Sequence, residues 1–92
     1  MEEQEKRDVM ARLRSIEGHL RGIERMVEAD AYCVDIIKQT LAVQRAIDKV
    51  NTLILGHHLK TCVTTAIQSN HPAERERVIT ELMDIFETSS KL

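Results

Sequence analysis

The fold is decided by the sequence CVDIIKQTLAVQRAIDKVNTLILGHHLKTCVTTAIQ, residues 33–68. Its apolar side chains recur every three or four positions without a breaker, which predicts one amphipathic helix. With its leading residues, such a helix has about 37 residues and a length of about 55 Å. A chain of 92 residues cannot cover a helix of that length alone. The pattern therefore predicts that the helix pairs with a second copy of the chain.

Two shorter helices flank this stretch. Residues 4–29 carry apolar groups in steps of three or four, which predicts a first amphipathic helix. We expect Asp30 to cap the N-terminus of the long helix and Pro72 to take the first position of a third helix. The sequence thus predicts an all-α, three-helix protomer with a long central helix, in a single domain of residues 1–92.

Cys33, His58 and Cys62 have the spacing of metal ligands. His58 and Cys62 stand four residues apart, on neighbouring turns of one helix face. Cys33 precedes them by 25 and 29 residues, so the three side chains share one direction to within about 20°. Cys33 is nevertheless about 37 Å from His58 along the helix. Antiparallel pairing of two copies would bring Cys33 of one opposite His58 and Cys62 of the other, which predicts two metal sites per dimer.

The ligand types favour a soft metal ion. Two thiolates and an imidazole select Cu(I) or Zn(II), and structural zinc sites require a fourth ligand. Trigonal Cu(I) is therefore favoured. The alternative is that both cysteines are ordinary buried residues, but a histidine in phase with them argues against it. The other histidines are not assigned as ligands: we expect His19 to be solvated and His71 to cap the third helix, and His57 points away from Cys62.

Composition narrows the function classes. The net charge of −2 and a pI near 6.1 argue against a strongly basic nucleic-acid binder. Four arginines between positions 12 and 25 can still form a phosphate-binding face, although a solvated face with salt bridges is the alternative. No apolar run is long enough for a membrane helix or a secretion signal, so we expect a cytoplasmic protein. Enzyme motifs are absent, and an enzyme is not expected.

Two segments carry a family resemblance. Residues 12–23, RLRSIEGHLRGI, resemble the first-helix signature of the CsoR/RcnR repressors. Residues 32–36, YCVDI, followed by AVQ at 42–44, resemble the start of the second helix in that family. The similarity covers nearly the whole chain. It implies an antiparallel four-helix-bundle dimer that associates into a homotetramer, a dimer of dimers, and represses transcription by binding double-stranded operator DNA.

The resemblance also implies roles for individual residues. In the copper-sensing branch, Cu(I) would be held by Cys33 of one protomer with His58 and Cys62 of the other. Two residues would orient the histidine without touching the metal, namely Tyr32 and Glu81. The positions implied to bind DNA are Arg12 and Lys49, with Arg14 and Arg21 as neighbours. The alternative for all four is solvated surface charge.

Sister branches of the family provide alternatives. Nickel and cobalt sensors carry an additional histidine near the N-terminus, and residues 1–8 contain none. Formaldehyde sensors have a proline at position two, where this chain has Glu2. Persulfide sensors keep both cysteines but lack the histidine. His58 therefore favours a Cu(I)-responsive repressor that the metal releases from DNA. Persulfide sensing through the two cysteines is the second hypothesis, and a purely structural helical assembly protein is the third.

Overall fold

The structure, a computed structural model, describes residues 1–91 and is helical almost throughout. Its elements are α1 (Glu3–Glu28), α2 (Cys33–His58), a π-helical turn (Leu59–Val63), α3 (Thr64–Gln68) and α4 (Pro72–Lys91). Helical backbone is thus continuous over residues 33–68, and the predicted long central helix and all-α class are confirmed. Within the described residues, no helix combines the length and the apolarity that crossing a bilayer requires.

Asp30 ends α1 and does not cap α2. Its φ of 52° is left-handed, a conformation that aspartate tolerates better than most residues. The Asp30 N–H donates to the Val27 carbonyl at 3.1 Å, and the Ala31 N–H donates to the Met26 carbonyl at 2.9 Å. This pair of hydrogen bonds defines a Schellman motif, which satisfies carbonyls at the C-terminus of a helix.

The backbone of Tyr32 begins α2. Its carbonyl accepts hydrogen bonds from the N–H groups of Asp35 at 3.0 Å and Ile36 at 3.2 Å. The prediction that Asp30 is the N-cap is therefore wrong, because Asp30 lies two residues too early and serves the preceding helix. Cys33 does lie in the first turn of α2, as predicted.

Met1–Leu55 form one compact unit, in which α1 packs against α2. The buried side chains recur every seven residues, so they form one stripe along each helix. They are Val9, Ile16 and Ile23 in α1 and Val43 and Val50 in α2. A stripe this narrow leaves both flanks of the helix pair at the surface.

The two flanks differ in chemistry. One, the apolar flank, consists of Leu13 and Leu20 of α1 with Ile47 and Ile54 of α2, all exposed in the protomer. Helical phase places each of them about 20–60° to the same side of the buried stripe. The opposite flank forms an open groove with a mixed polar and apolar lining. The helix pair therefore offers one surface suited to a protein partner and one suited to a polar ligand.

The chain from Gly56 onward forms the second compact unit. Val63 and Ala66 pack against Val78 of α4. Val78 is only 1% exposed. Pro72 occupies the first position of α4, as predicted, where its missing N–H costs no hydrogen bond. The His71 carbonyl accepts the first N–H groups of this helix, in keeping with the expected capping role.

The π-helical turn begins directly after His58 and contains Cys62, and the apolar periodicity does not indicate it. The Thr64 N–H donates to the Leu59 carbonyl, five residues earlier, and the Thr64 hydroxyl donates to the same carbonyl at 2.6 Å. The Thr61 hydroxyl donates to the His57 carbonyl at 2.9 Å. Threonine hydroxyls thus support the backbone of the wide turn. Single π turns are frequently found at functional sites.

Candidate functional site

His58 and Glu81 face one another within the second unit. The His58 Nε2 atom lies 3.9 Å from Glu81 Oε2, and their side chains are 32% and 44% exposed. This distance is too long for a hydrogen bond but places the carboxylate within reach of the ring. Because Nε2 is directed at the carboxylate, Nδ1 is the nitrogen that His58 can offer to a metal. The structure thus brings together two residues that the sequence analysis assigned to one site.

Arg77 holds the other oxygen of Glu81. Its Nη1 donates to Glu81 Oε1 at 2.6 Å, and its Nη2 donates to Glu74 Oε2 at 2.9 Å. The hydrogen bond and charge of Arg77 hold the pKa of Glu74 below its ordinary value, and both carboxylates raise the pKa of Arg77. Sequence analysis did not identify Arg77. The available signal was its spacing, three residues after Glu74 and four before Glu81.

Both cysteines are free and exposed. Cys33 is the first residue of α2, and Cys62 lies in the π-helical turn with its Sγ 3.6 Å from the Thr61 hydroxyl. Within residues 1–91 of one protomer, no three His, Cys, Asp or Glu side chains converge well enough to hold a metal ion. Two accessible thiols and an imidazole with Nδ1 available nevertheless form a soft donor set that fits Cu(I).

Tyr32 is well exposed, and its phenol makes no hydrogen bond in the part of the chain that the structure describes. Its backbone, by contrast, is fixed by the first turn of α2. The side chain is therefore available for contact with a second protomer, next to Cys33. Its predicted role toward the histidine stays a prediction.

Arg12 lines the groove in the first unit, and Lys49 is on the same face of α2 as two of the lining residues. The groove has a volume of about 770 Å³ and is lined from α1 by Arg12 and from α2 by Ala46 and Leu53. Lys49 lies three residues after Ala46 and four before Leu53, so it shares their face of α2. Two basic residues assigned to DNA binding from separate helices thus flank one surface.

Arg14 and Arg21 occupy a different face of α1. Both are exposed, and they stand seven residues apart on the side opposite the buried stripe, roughly 160° from Ile16. Within residues 1–91, neither these two nor Arg12 forms an ion pair. The alternative of a face neutralised by salt bridges therefore finds no support in α1, and its cations are available to an anionic partner.

His19 is not the solvated residue that the sequence predicted. It is half-buried at the edge of the groove, and its Nε2 lies 2.7 Å from Gln39 Oε1 of α2. The hydrogen bond joins residues 20 positions apart and connects the two helices. No local pattern could have identified this contact, because it depends on how α1 and α2 align.

The groove and the cysteine lie on opposite sides of α2. Lys49 follows Cys33 by 16 residues, which corresponds to a rotation of about 160°. Ile47 of the apolar flank, in contrast, lies within about 40° of Cys33. A ligand bound at Cys33 therefore cannot occupy the groove itself.

Comparison with known proteins gives the family. A family model described as metal-sensitive transcriptional repressor matches residues 5–88, which is most of the chain. The chain belongs to this family. Membership confirms the resemblance that the first-helix signature indicated.

Three relatives place the chain within the metal-sensitive repressor family. It is 46% identical over 79 residues to the copper-sensing transcriptional repressor CsoR of Mycobacterium tuberculosis H37Rv, covering 86% of this chain and 64% of the relative. It is 45% identical over 87 residues to CsoR of Bacillus subtilis 168, covering 95% and 83%. The crystal structure of the copper-sensing repressor CsoR with Cu(I) from Geobacillus thermodenitrificans NG80-2 superimposes with a TM-score of 0.87, at 36% identity, over 98% of this chain and 91% of that one.

The mycobacterial relatives are longer proteins. This chain spans 64% of their length, which is slightly less than two thirds. Its match to the Bacillus relative and to the Geobacillus structure covers most of both partners. The likeness therefore includes the whole helical fold described above.

Proposed function

We propose that this chain is a Cu(I)-responsive transcriptional repressor of the cytoplasm that binds operator DNA without metal and releases it on binding Cu(I). The ligands would be Cys33 of one protomer with His58 and Cys62 of its partner. The observation that supports this most strongly is the orientation of His58. Its Nε2 faces Glu81 at 3.9 Å, so Nδ1 is left for the metal on the same helix as Cys62.

An antiparallel dimer is needed to complete that site. The apolar flank of the first unit offers the surface, because Leu13, Leu20, Ile47 and Ile54 are exposed in the protomer and lie on one side of the helix pair. Exposed apolar patches of this kind mark protein–protein contacts. Cys33 is on the same side of α2, so burial of this flank would carry the thiol into the interface. Two such dimers would form the tetramer.

Operator DNA would be bound through the phosphate backbone. The described chain presents the unpaired cations of Arg12 and Lys49 at one groove and those of Arg14 and Arg21 on the outer face of α1. Cations that neutralise phosphates release counterions, so binding should weaken steeply with salt. Sequence preference would then come largely from DNA shape.

Release would be allosteric. Cys33 and Lys49 lie on opposite sides of α2, so metal and DNA need not compete for one surface. When bound, Cu(I) would supply a soft centre that draws together thiols and imidazole of two chains. His58 would then present its Nε2–H to Glu81, linking α2 to α4. A ligand that favours the DNA-incompetent arrangement lowers DNA affinity by the same coupling free energy, typically about 1–3 kcal/mol.

The test is an anaerobic titration of the reduced, metal-free protein with Cu(I). The probe is a fluorescent duplex enriched from a random-sequence pool by the wild-type chain, followed by anisotropy. We expect release at one Cu(I) per protomer, loss of that response in His58→Ala and its retention in the matched control His71→Ala.

Other outcomes identify the alternatives. Release by a persulfide donor but not by Cu(I), with the response retained in His58→Ala, would assign the chain to sulfur sensing through its two free cysteines. Failure to enrich any duplex, with Cys33→Ala changing only packing, would indicate a structural assembly protein.

A further inference from the structure

The groove of the first unit is lined by polar residues other than the predicted Arg12. Ser15 and His19 lie in it beside Arg12, at intervals of three and four residues, so the three side chains share one face of α1. Neither Ser15 nor His19 is among the positions that the family resemblance assigns to DNA. Both carry hydrogen-bond donors, and a guanidinium, a hydroxyl and an imidazole together are suited to phosphate oxygens.

We infer that Arg12, Ser15 and His19 form a phosphate-binding subsite in the groove between α1 and α2, which takes a backbone phosphate of the operator duplex. The inference rests on the proposed repressor function, because it assigns new residues to the same DNA-binding surface. It differs from the family-based assignment in giving the central role to His19.

The ring of His19 is oriented for such a contact. Gln39 holds Nε2 at 2.7 Å, and no protein group within the described chain hydrogen-bonds to Nδ1. With the Gln39 oxygen accepting from Nε2–H, Nδ1 of a neutral ring is an acceptor, so only the protonated ring can donate Nδ1–H to a phosphate oxygen. A histidine held in this way loses little freedom when it binds a ligand, which favours affinity.

The charges around the groove favour an anion beside Arg12, at the middle of its length. Arg12 has no carboxylate partner within the described residues, and Lys49 shares the face of α2 that lines the groove. Asp8 lies at one end, one turn before Arg12, and its Oδ1 accepts a hydrogen bond from Gln4 at 2.9 Å. Asp35 lies beyond the other end, one turn before Gln39, so an anion is held between the two carboxylates, next to Arg12 and Ser15.

A duplex is the occupant best suited to the shape of this groove. The distance from Asp8 to His19 is about 16 Å along α1, and the groove is open along its length. A free phosphate ion would fill only a small part of it, whereas a DNA strand can follow the surface and place one phosphate at His19. The exposed arginines on the outer face of α1 can then contact phosphates farther along the duplex.

Phosphate contact couples DNA binding to a proton at His19. A neighbouring phosphate favours the imidazolium, so the proposed contact predicts that DNA binding is tighter at lower pH. The charged groups on the facing sides are Asp8 and Arg12 of α1 and, on α2, Lys49 and Asp35, one turn before Gln39. Carboxylates, Lys and Arg keep their charge between about pH 6 and pH 7.5. They therefore set the field at His19 without adding to the pH dependence there.

The test compares affinities of the full chain for the enriched duplex at about pH 6 and about pH 7.5, which bracket ordinary histidine titration. His19→Gln keeps a partner for Gln39 but cannot be charged, and His71→Gln is the matched control. Wild-type protein and His71→Gln should bind about 3–10-fold more tightly at the lower pH, and His19→Gln should lose that gain. Ser15→Ala should weaken binding of the duplex about 3–10-fold at both pH values.

Each other result has a definite meaning. If duplex affinity has the same pH dependence in His19→Gln as in the wild type, the assignment of His19 to a phosphate subsite is wrong. The repressor proposal would remain intact. Saturable binding of inorganic phosphate below about 1 mM, lost in His19→Gln and unaffected by the duplex, would assign the subsite to a free anion. Failure of the wild type to enrich any duplex would overturn the repressor proposal and this inference together.

Discussion

The Nε2 atom of His58 lies 3.9 Å from Oε2 of Glu81, while Arg77 holds the other oxygen of that carboxylate at 2.6 Å. This arrangement brings the imidazole at the end of the central helix close to a carboxylate of α4. The two nitrogens of the ring also have different surroundings: Nε2 faces a carboxylate of its own chain, and Nδ1 remains for a ligand. Groups that orient a metal-bound histidine commonly tune both affinity and response.

Glu81→Ala should separate metal binding from DNA release. The thiols and the imidazole remain, so Cu(I) should still bind, with affinity reduced by about 10-fold. The link between α2 and α4 is lost, and the effect of Cu(I) on DNA affinity should fall by at least about 10-fold. Glu81→Gln keeps an acceptor oxygen, so the effect of Cu(I) on its DNA affinity should lie between those of Glu81→Ala and the wild type.

The measurement for Glu81 is DNA anisotropy with and without saturating Cu(I), beside a competitive Cu(I) titration with a chromophoric chelator. Glu76→Ala removes a carboxylate from the same helix and should behave as the wild type. An alanine variant at position 81 that binds Cu(I) and releases DNA with undiminished coupling would contradict the role assigned to the carboxylate.

Arg77→Gln should partly weaken the effect of Cu(I) on DNA affinity. Without the guanidinium, the Glu81 carboxylate is no longer held with Oε2 towards His58, and the coupling should fall about 2–5-fold. The stability of the fold should change little, because the two ion pairs are on the surface, where water screens the charges. Arg75→Gln, also on α4 but without an ion pair in the described chain, is the control. Equal coupling in the two variants would show that Arg77 does not position Glu81.

The sequence predicted those features of the fold that depend on local pattern. The apolar period over residues 33–68 and Pro72 at the start of α4 both follow from the preferences of neighbouring residues, and both are confirmed. Asp30 illustrates the limit of such reasoning. An aspartate before a helix suits an N-cap, but the same short side chain also tolerates the left-handed conformation that ends the preceding helix.

The π-helical turn and the His19 contact could not be predicted from the local sequence pattern. A single π turn changes the hydrogen bonding of a few residues without interrupting the apolar stripe, so periodicity does not indicate it. The bond between His19 and Gln39 depends on the alignment of two helices. For the candidate site, spacing alone indicated Cys33, His58 and Cys62. Glu81 came only from the family resemblance, and Arg77 from neither.

Val78→Ala should destabilise the second unit. Val78 is the most deeply buried side chain of the described chain, and it packs against Val63 and Ala66. Removing two methyl groups from this contact should cost about 1–3 kcal/mol in the free energy of unfolding. Urea unfolding at one fixed protomer concentration measures the change, since association also stabilises the chain. Thr80→Ala, an exposed change on the same helix, should be nearly neutral, and equal stability of the two variants would contradict the packing described.

Leu20→Glu should prevent dimer formation and, with it, metal binding. Leu20 is 43% exposed in the protomer and belongs to the apolar flank, so the proposed dimer would bury the new carboxylate in an apolar contact. We expect the dimer dissociation constant to rise by at least about 100-fold in sedimentation equilibrium. Separate protomers cannot bring Cys33 to His58 and Cys62 of a partner, so Cu(I) affinity should fall as dimers are lost.

As a control, Gln4→Glu adds the same charge to another face of α1. It should leave the dimer dissociation constant and the Cu(I) affinity unchanged. Restoring tight Cu(I) binding by raising the protomer concentration of Leu20→Glu would support a site shared between chains. Tight, concentration-independent Cu(I) binding by a monomeric Leu20→Glu protein would contradict it, because all ligands would then have to come from one chain.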